Sequence, residues 1–305
     1  MMGSGGVGGF FGGRLAHAGE DVAFVARGAH LDALRRNGLT IENEPQGDMH
    51  VVGIRASEDP AELGPADVVI VSVKLWDTEA AARAIKPVVD TGAAVLSLQN
   101  GVIKDDILRE IFPEKSIMGG VAYVATHIAR PGVIHQTGTM QRIVVGEYDG
   151  RPSERSKALH EALLRSGVNA ELSTDVRRSI WEKYVFLVGL SATTATTRRP
   201  LGAVMENPRS RAFLLEIMRE VVRVARAEGV NLAEDYADQR LAFAKALPYD
   251  MTSSMAHDLE HGNRLEVDWL SGGVVKLGKK AGVATPANEA VCAILAPHAE
   301  GRPKE

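Results

Sequence analysis

The feature that most constrains this chain is a change in the spacing of its apolar residues near Asp175. Before that point short apolar runs alternate with amphipathic segments, whereas the stretch 210–230 repeats apolar residues every three or four positions. Short strands separated by helices are typical of a parallel sheet covered on both faces, and a 3.6-residue period is typical of helices. We therefore predict an α/β protein with an N-terminal Rossmann-type, doubly wound domain (1–174) and an all-helical C-terminal domain (175–305).

Six apolar runs of the first domain are candidate strands: 21–26, 66–73, 93–99, 116–124, 133–137 and 141–146. Polar residues follow two of these runs, Lys74 after VVIVSV and Asn100 after VLSLQ. In open α/β sheets, ligands bind outside the carboxyl ends of the strands, so both side chains are expected at one crevice. Either residue alone would also fit a turn, especially Asn100 before Gly101.

Composition excludes several kinds of protein. The net charge of −4 argues against nucleic-acid or membrane binding driven by charge. The chain has neither an apolar run of about 18 residues nor a basic leader followed by an apolar segment. Its single cysteine, Cys292, excludes an internal disulfide. Its nine scattered histidines form no HExxH motif, so no metal site is expected. We expect a cytoplasmic protein.

The opening stretch MMGSGGVGGFFGGRLAHAG carries Gly3, Gly5 and Gly8 at G-x-G-x-x-G spacing. In such loops the first glycine makes a tight turn, the second lets a pyrophosphate approach, and the third packs the helix on a strand. We predict that Gly3, Gly5, Gly6, Val7 and Gly8 bind a dinucleotide. A flexible leader is the alternative, but a helix and the strand DVAFVA follow at once.

Only Met1 and Met2 stand where a strand should precede the glycine loop. Either the start codon was assigned several residues late, which we favour, or the central strand is truncated.

Arg27 directly follows the predicted strand 21–26, which is the second strand when the one expected before the glycine loop is counted. At this position an acidic residue selects NAD by accepting hydrogen bonds from the ribose 2′-hydroxyl. A guanidinium instead pairs with a 2′-phosphate. The sequence thus favours NADP(H) as cofactor, with a solvated surface arginine as the alternative.

Lys183 stands in WEKYVFLVGL (181–190), directly before a run without charge. Burying an unpaired ammonium costs several kcal/mol or lowers its pKa. The lysine therefore either extends to water along its aliphatic stem, the commoner case, or serves chemistry.

Taken together, these motifs resemble the ketopantoate reductase (2-dehydropantoate 2-reductase) family over nearly the whole chain. The segments that carry the resemblance are the glycine loop (3–8), FVARG (24–28), VKLW (73–76), QNG (99–101), PGVIHQTG (131–138), WEK (181–183), TSSM (252–255) and LEVDWLSG (265–272). The resemblance implies a Rossmann domain followed by a helical domain. It also implies NADPH-dependent reduction of a small 2-oxo acid to a 2-hydroxy acid in pantothenate synthesis. A long helical half often supports a homodimer.

The resemblance assigns roles residue by residue. Lys183 matches a catalytic lysine that acts as general acid toward the substrate carbonyl, where an ammonium stabilises the alkoxide and supplies the proton. Asn100 matches a residue that contacts both the nicotinamide ribose and the substrate. Lys74 matches a residue on the cofactor side, and Ala125 would contribute a backbone contact to the cofactor.

Two further residues come from the predicted helical domain. Ser254 matches a serine that binds the substrate carboxylate, although TSSM would also suit a helix cap. Glu266 matches an acid that closes the site, with catalytic and cofactor contacts. Helical spacing independently places Glu266 on a packed stripe with Leu270, and a buried carboxylate needs a partner. A structural ion pair to Arg264 or Lys276 is the alternative.

The chain departs from the family at Leu187, Ser191 and Leu201, where better-known members carry asparagines. Ser191 can still hydrogen-bond and is kept as a substrate-binding residue, whereas the leucines predict a more apolar pocket. The run SATTATTRRP (191–200) offers hydroxyls and arginines for a different 2-oxo acid, although a solvated basic turn is the simpler interpretation. Ketopantoate is the leading substrate. The alternatives are another branched 2-oxo acid, or a nucleotide-sensing protein without turnover.

Overall fold

The computed structural model describes residues 1–43 and 47–302 and divides into two compact units. The first unit comprises Met1–Gln99 and Lys104–Ser179. The second comprises Asn100–Ile103 and the residues from Ile180 onward. The predicted helical domain extends to residue 305, so its last three residues lie outside the described chain.

The first unit consists of nine strands and five α-helices within the described residues. The strands are β1 (Ala23–Val25), β2 (Leu39–Asn43), β3 (Met49–Val51), β4 (Arg55–Ser57), β5 (Val68–Val71), β6 (Ala94–Ser97), β7 (Ile117–Arg130), β8 (Val133–Gly146) and β9 (Asn169–Leu172). The helices are α1 (Gly6–His17), α2 (Gly28–Asn37), α3 (Thr78–Val89), α4 (Lys104–Arg109) and α5 (Glu154–Arg165).

Parallel pairing dominates the sheet. Strands β5, β6 and β7 are parallel neighbours, β1 runs parallel to β4, and β8 has parallel partners in β2 and β9. The antiparallel pairs are β7 with β8 and β2 with β3. The sheet is therefore mixed rather than purely parallel as the apolar pattern predicted.

The predicted separate strands 133–137 and 141–146 are wrong, because both belong to β8. Residues 137–140 are exposed and polar or glycine except for Met140, so the apolar pattern is interrupted while the ladder with β7 continues on both sides. The register shifts between Val124 and Thr126, where β8 accommodates the extra residues.

Helices cover both faces of the sheet. Along β5, Ile70 belongs to an apolar cluster that includes Phe10 of α1, whereas Val69 and Val71 belong to a second cluster that includes Ile85 of α3. Successive strand residues point to opposite faces, so one cluster lies on each side. The predicted doubly wound fold is confirmed.

Met2 occupies the position predicted for a central strand. It forms parallel bridges to Val25 of β1 and Val71 of β5. Its N–H donates to the Ile70 carbonyl at 2.8 Å, and its carbonyl accepts from the Ser72 N–H at 2.9 Å. Met2 thus lies between β1 and β5, and the glycine loop follows it directly.

The regular elements of the second unit are all helices within its described residues, as predicted. Its helices are α6 (which spans Val176–Thr197 and begins in the first unit), α7 (Leu201–Glu206), α8 (Pro208–Ala227), α9 (Tyr236–Ala244), α10 (Ser254–His261), α11 (Ser271–Ala281) and α12 (Pro286–Leu295). They pack around one apolar cluster that includes Val185, Leu214 and Val274. Within the described ranges, helices that combine the length and the hydropathy of a bilayer span do not occur.

Candidate active site

The glycine loop has the backbone conformation that its spacing predicts. Gly3 has φ of 93°, and a Cβ there would lie 2.8 Å from Val73 Cγ1. A Cβ on Gly8 would lie 2.0 Å from the Gly3 carbonyl oxygen and 2.2 Å from Ser72 Oγ. Because real Cβ atoms do not approach other atoms this closely, glycine is required at the turn and where α1 packs against the loop.

The outer side of the loop is open at Gly5, the residue before α1. A Cβ added to Gly5 meets no atom of the described chain within 4 Å, whereas one on Gly6 would lie 2.5 Å from the Thr126 carbonyl oxygen. The first N–H groups of a helix lack intrahelical acceptors and carry partial positive charge. Gly6, Val7 and Gly8 form this first turn, and it contains no acidic residue. The loop therefore suits a pyrophosphate.

Side chains behind the loop fix its path. Ser4 is 3% exposed and its Oγ donates to the Val25 carbonyl at 2.9 Å. Ser72 Oγ donates to the Gly3 carbonyl at 2.7 Å, and His30 Nε2 lies 2.9 Å from the Ser4 carbonyl oxygen. Sequence reasoning missed Ser4, Ser72 and His30, because a serine or histidine without a motif gives no signal of long-range contact.

Of the remaining predicted cofactor residues of the first unit, Arg27 and Lys74 follow the ends of β1 and β5, whereas Ala125 lies inside β7. Arg27 stands at the start of α2 with its side chain 71% exposed, 3.6 Å from the Asp77 carboxylate. Lys74 is exposed, and its ammonium lies 5.6 Å from the centre of the Trp76 ring. Ala125 is exposed at the register shift of β7.

Gln99, which sequence reasoning did not single out, connects the end of β6 to the segment that follows β5. It is 7% exposed, and its Nε2 donates to the Val73 carbonyl at 3.0 Å and to Thr78 Oγ1 at 2.7 Å. The carbonyl of Val73 immediately precedes Lys74, and Asn100 immediately follows Gln99. The side chain thus fixes the backbone on which both predicted residues depend.

In the second unit, the structure brings two predicted residues together. Lys183 Nζ donates to Asn100 Oδ1 at 2.8 Å, and both residues are half-buried. Asn100 belongs to a short segment whose next residue, Gly101, has φ of 94°. Of the two interpretations of Lys183, extension to bulk water and a specific polar role, the hydrogen bond favours the second.

Tyr184 holds the lysine-bearing helix in place. Its hydroxyl donates to the Leu270 carbonyl at 2.6 Å and to the Trp269 carbonyl at 3.1 Å, and its ring packs edge-on against Trp181. Burial raises the pKa of this phenol, so the hydroxyl stays protonated and keeps donating. The contact links α6 to the turn that carries Glu266.

The helical stripe predicted for Glu266 is wrong. Helix α10 ends at His261, because Gly262 adopts φ of 71° and Asn263 N–H donates to the Asp258 carbonyl at 2.8 Å, which closes the helix as a Schellman motif. Glu266 lies in the turn before α11 and is nevertheless 7% exposed. Its burial was predicted, but from the wrong geometry. Arg264, one proposed ion-pair partner, pairs with Glu300.

Around Ser254, the helix cap is the preceding residue. Ser253 Oγ accepts from the Ala256 N–H at 3.0 Å and lies 2.8 Å from Thr194 Oγ1, whereas Ser254 is exposed at the first position of α10. Ser191 is wholly buried, and its Oγ has no hydrogen-bond partner in the described chain. Leu201 is 1% exposed in the apolar core.

Clusters of three or more histidine, cysteine or acidic side chains with the geometry of a metal site do not occur in the ranges that the structure describes. The site residues are instead a glycine loop in one unit and an amide–ammonium pair in the other.

A glycine loop at the carboxyl ends of a parallel-rich sheet, joined in one chain to a helical unit, defines a two-unit dinucleotide-binding protein of the Rossmann class. This chain belongs to the ketopantoate reductase PanE/ApbA family. The family description "Ketopantoate reductase PanE/ApbA" matches residues 1–150, and "Ketopantoate reductase PanE/ApbA C terminal" matches residues 175–299. The resemblance seen in the sequence is confirmed.

Similar proteins cover almost the whole chain. An uncharacterized oxidoreductase, YkpB, from Bacillus subtilis is 32% identical over 97% of this chain and 96% of its own. A 2-dehydropantoate 2-reductase from Halobacterium salinarum is 33% identical over 94% of this chain and 93% of its own. The crystal structure of a PanE/ApbA family ketopantoate reductase from Ralstonia eutropha JMP134 is 36% identical, with a TM-score of 0.88 over 97% of this chain and 96% of its own.

Proposed function

We propose that this protein reduces a 2-oxo acid to a 2-hydroxy acid with NADPH, with 2-dehydropantoate (ketopantoate) as the leading substrate. The observation that carries the proposal is the 2.8 Å hydrogen bond from Lys183 Nζ to Asn100 Oδ1. It holds an ammonium at a defined position beside an amide, in a family with relatives named 2-dehydropantoate 2-reductase.

Lys183 is the proposed general acid. An ammonium has three N–H donors, and Asn100 accepts one of them through its amide oxygen. When a ketone is reduced, its oxygen gains negative charge, and a nearby ammonium both stabilises that charge and supplies the proton. The amide orients the ammonium in advance, so less reorganisation is needed as the charge develops.

The residues of the first unit fit the cofactor. The open side of Gly5 and the first turn of α1 would take the pyrophosphate, and Arg27 would pair with the 2′-phosphate of NADP(H). Lys74 and the backbone at Ala125 are the further proposed cofactor contacts of this unit. Glu266 of the second unit is proposed both as a cofactor contact and as a catalytic residue. When bound, the dinucleotide would supply the hydride for C2 of the oxo acid.

Ser191 and Ser254 are the proposed substrate-binding hydroxyls of the second unit. Ser254 is exposed, whereas Ser191 Oγ is buried and unpartnered, so a hydrogen bond from a substrate would satisfy it. Leu201 is buried in the apolar core, whereas Leu187 is only half-buried against that core and offers no hydrogen-bonding group to a substrate. This observation favours, as a second candidate, a branched 2-oxo acid without a hydroxyl.

A substrate panel tests the proposal. Oxidation of NADPH, measured as the loss of absorbance at 340 nm, should occur with ketopantoate and with 3,3-dimethyl-2-oxobutanoate. The second compound differs from ketopantoate by the absence of one hydroxyl. A higher kcat/KM for ketopantoate supports the leading substrate, and the reverse order supports the second candidate. Tight nucleotide binding without turnover of any 2-oxo acid would contradict the proposal and favour the sensing protein.

A further inference from the structure

We propose that His30 is a positioning residue for the dinucleotide loop, acting through the carbonyl of Ser4. His30 lies in the first turn of α2 and is half-buried. Its ring bridges two segments that are distant in sequence, the glycine loop at Ser4 and the turn at Gly132 that joins β7 to β8. The inference rests on the proposed role of the loop as a cofactor site.

The two contacts assign the protons on the imidazole ring. Gly132 N–H can only donate, and it lies 3.1 Å from His30 Nδ1, so Nδ1 carries the lone pair. In the neutral ring, the proton must then be on Nε2, which donates to the Ser4 carbonyl at 2.9 Å. Burial lowers the pKa of His30, which favours this neutral form.

The Ser4 carbonyl controls the direction of the Gly5 N–H. Both groups belong to one peptide unit, which is planar and trans, so they point in opposite directions. A donor that holds the Ser4 carbonyl toward α2 therefore turns the Gly5 N–H away from α2. Since a Cβ on Gly5 would meet no described atom within 4 Å, that residue borders the open side of the loop.

The other supports of the loop act at different groups. Ser72 Oγ holds the carbonyl of Gly3, and Ser4 Oγ binds the Val25 carbonyl at the end of β1. Gly132 is itself fixed in place, with φ of 79° and its carbonyl accepting from the Thr40 N–H at 2.9 Å. His30 thus connects the loop to a rigid turn of the sheet.

Three substitutions in the two-unit chain separate the two contacts. In His30→Gln, the amide nitrogen occupies the place of Nε2 and retains the donor to Ser4. In His30→Asn, the amide oxygen mimics Nδ1, so only the Gly132 contact survives. His30→Met has comparable length and no donor, and it serves if the asparagine variant does not fold. His50→Asn is the matched control, because His50 contacts Thr40 Oγ1 on the exposed edge of the first unit.

The dissociation constant for NADPH, measured by nucleotide fluorescence, should rise about tenfold in His30→Asn and His30→Met. It should stay within about threefold of wild type in His30→Gln and His50→Asn. Because the loop binds cofactor and not oxo acid, kcat at saturating NADPH should change little in any variant. Equal affinities in all variants, or an equal loss in the glutamine variant, would overturn the positioning role. If wild-type protein bound neither NADPH nor NADH, the proposed function itself would fail instead.

Discussion

At the scale of single residues, the chemistry depends on polar side chains held by precise partners. The Lys183–Asn100 pair could be anticipated in kind, because each residue stands at an informative place in the sequence, but the 2.8 Å contact between them could not. Glu266 illustrates the limit of periodicity. Its burial was predicted from a helix that Gly262 in fact terminates, since a glycine on an apolar stripe gives no warning of its positive φ.

Arg27 carries the prediction on cofactor choice. Arg27→Ala should raise the KM for NADPH about 10- to 100-fold, because it removes a charge-assisted contact to the 2′-phosphate, and leave the KM for NADH nearly unchanged. Steady-state kinetics with both nucleotides measure this. Arg36→Ala is the control, because the Arg36 guanidinium contacts the Asp32 carbonyl on the exposed face of α2. If the ratio of the KM for NADPH to the KM for NADH were unchanged in Arg27→Ala, the argument for NADP(H) would fail.

At the scale of elements, buried polar groups join helices to strands where the apolar pattern is silent. Lys104 at the start of α4 is 1% exposed and donates to the carbonyls of Ser97, at the end of β6, and Gly120 of β7. Asp105 lies 3.7 Å from its ammonium and accepts from the Tyr148 hydroxyl. Burial lowers the pKa of Lys104 and raises that of Asp105, as expected when two opposite charges are removed from water together.

Removal of this ammonium should destabilise the protein strongly. Lys104→Met leaves the Asp105 charge buried without its partner and should lower the free energy of unfolding by about 3–5 kcal/mol. The double variant Lys104→Met/Asp105→Asn should recover part of that loss. Lys86→Met, which breaks an exposed pair with Asp90, should cost about 0–1 kcal/mol. Urea titration of the wild-type protein and the three variants measures these free energies of unfolding. Equal losses of stability in Lys104→Met and Lys86→Met would be evidence against a buried pair.

At the scale of the whole molecule, the change of period near Asp175 was enough to predict the class of fold. Strands buried on both faces, such as β5 and β6, can be recognised as apolar runs, and the amphipathic helix α8 can be recognised by the spacing of its apolar residues. Strand β8 was predicted only as two separate strands, because its pairing with β7 continues across a polar interruption. The short strands β2, β3, β4 and β9 were not predicted, because three to five residues give too short a pattern, and β4 and β9 pair only with strands distant in sequence. For the same reason Gln99 and His30, whose contacts are long-range, could only be found from coordinates.

In the proposed reaction, the Lys183 ammonium supplies the proton to the reduced carbonyl. The most direct test is the kcat of Lys183→Met at saturating NADPH and 2-oxo acid, measured together with its dissociation constant for NADPH. Lys280→Met, a substitution at an exposed lysine, is the control. We expect kcat to fall by about 10²- to 10⁴-fold in Lys183→Met, because the proton donor is lost. The NADPH affinity of this variant and both quantities in the control should stay near wild type. Turnover by Lys183→Met at the wild-type rate would contradict the proposed role of Lys183.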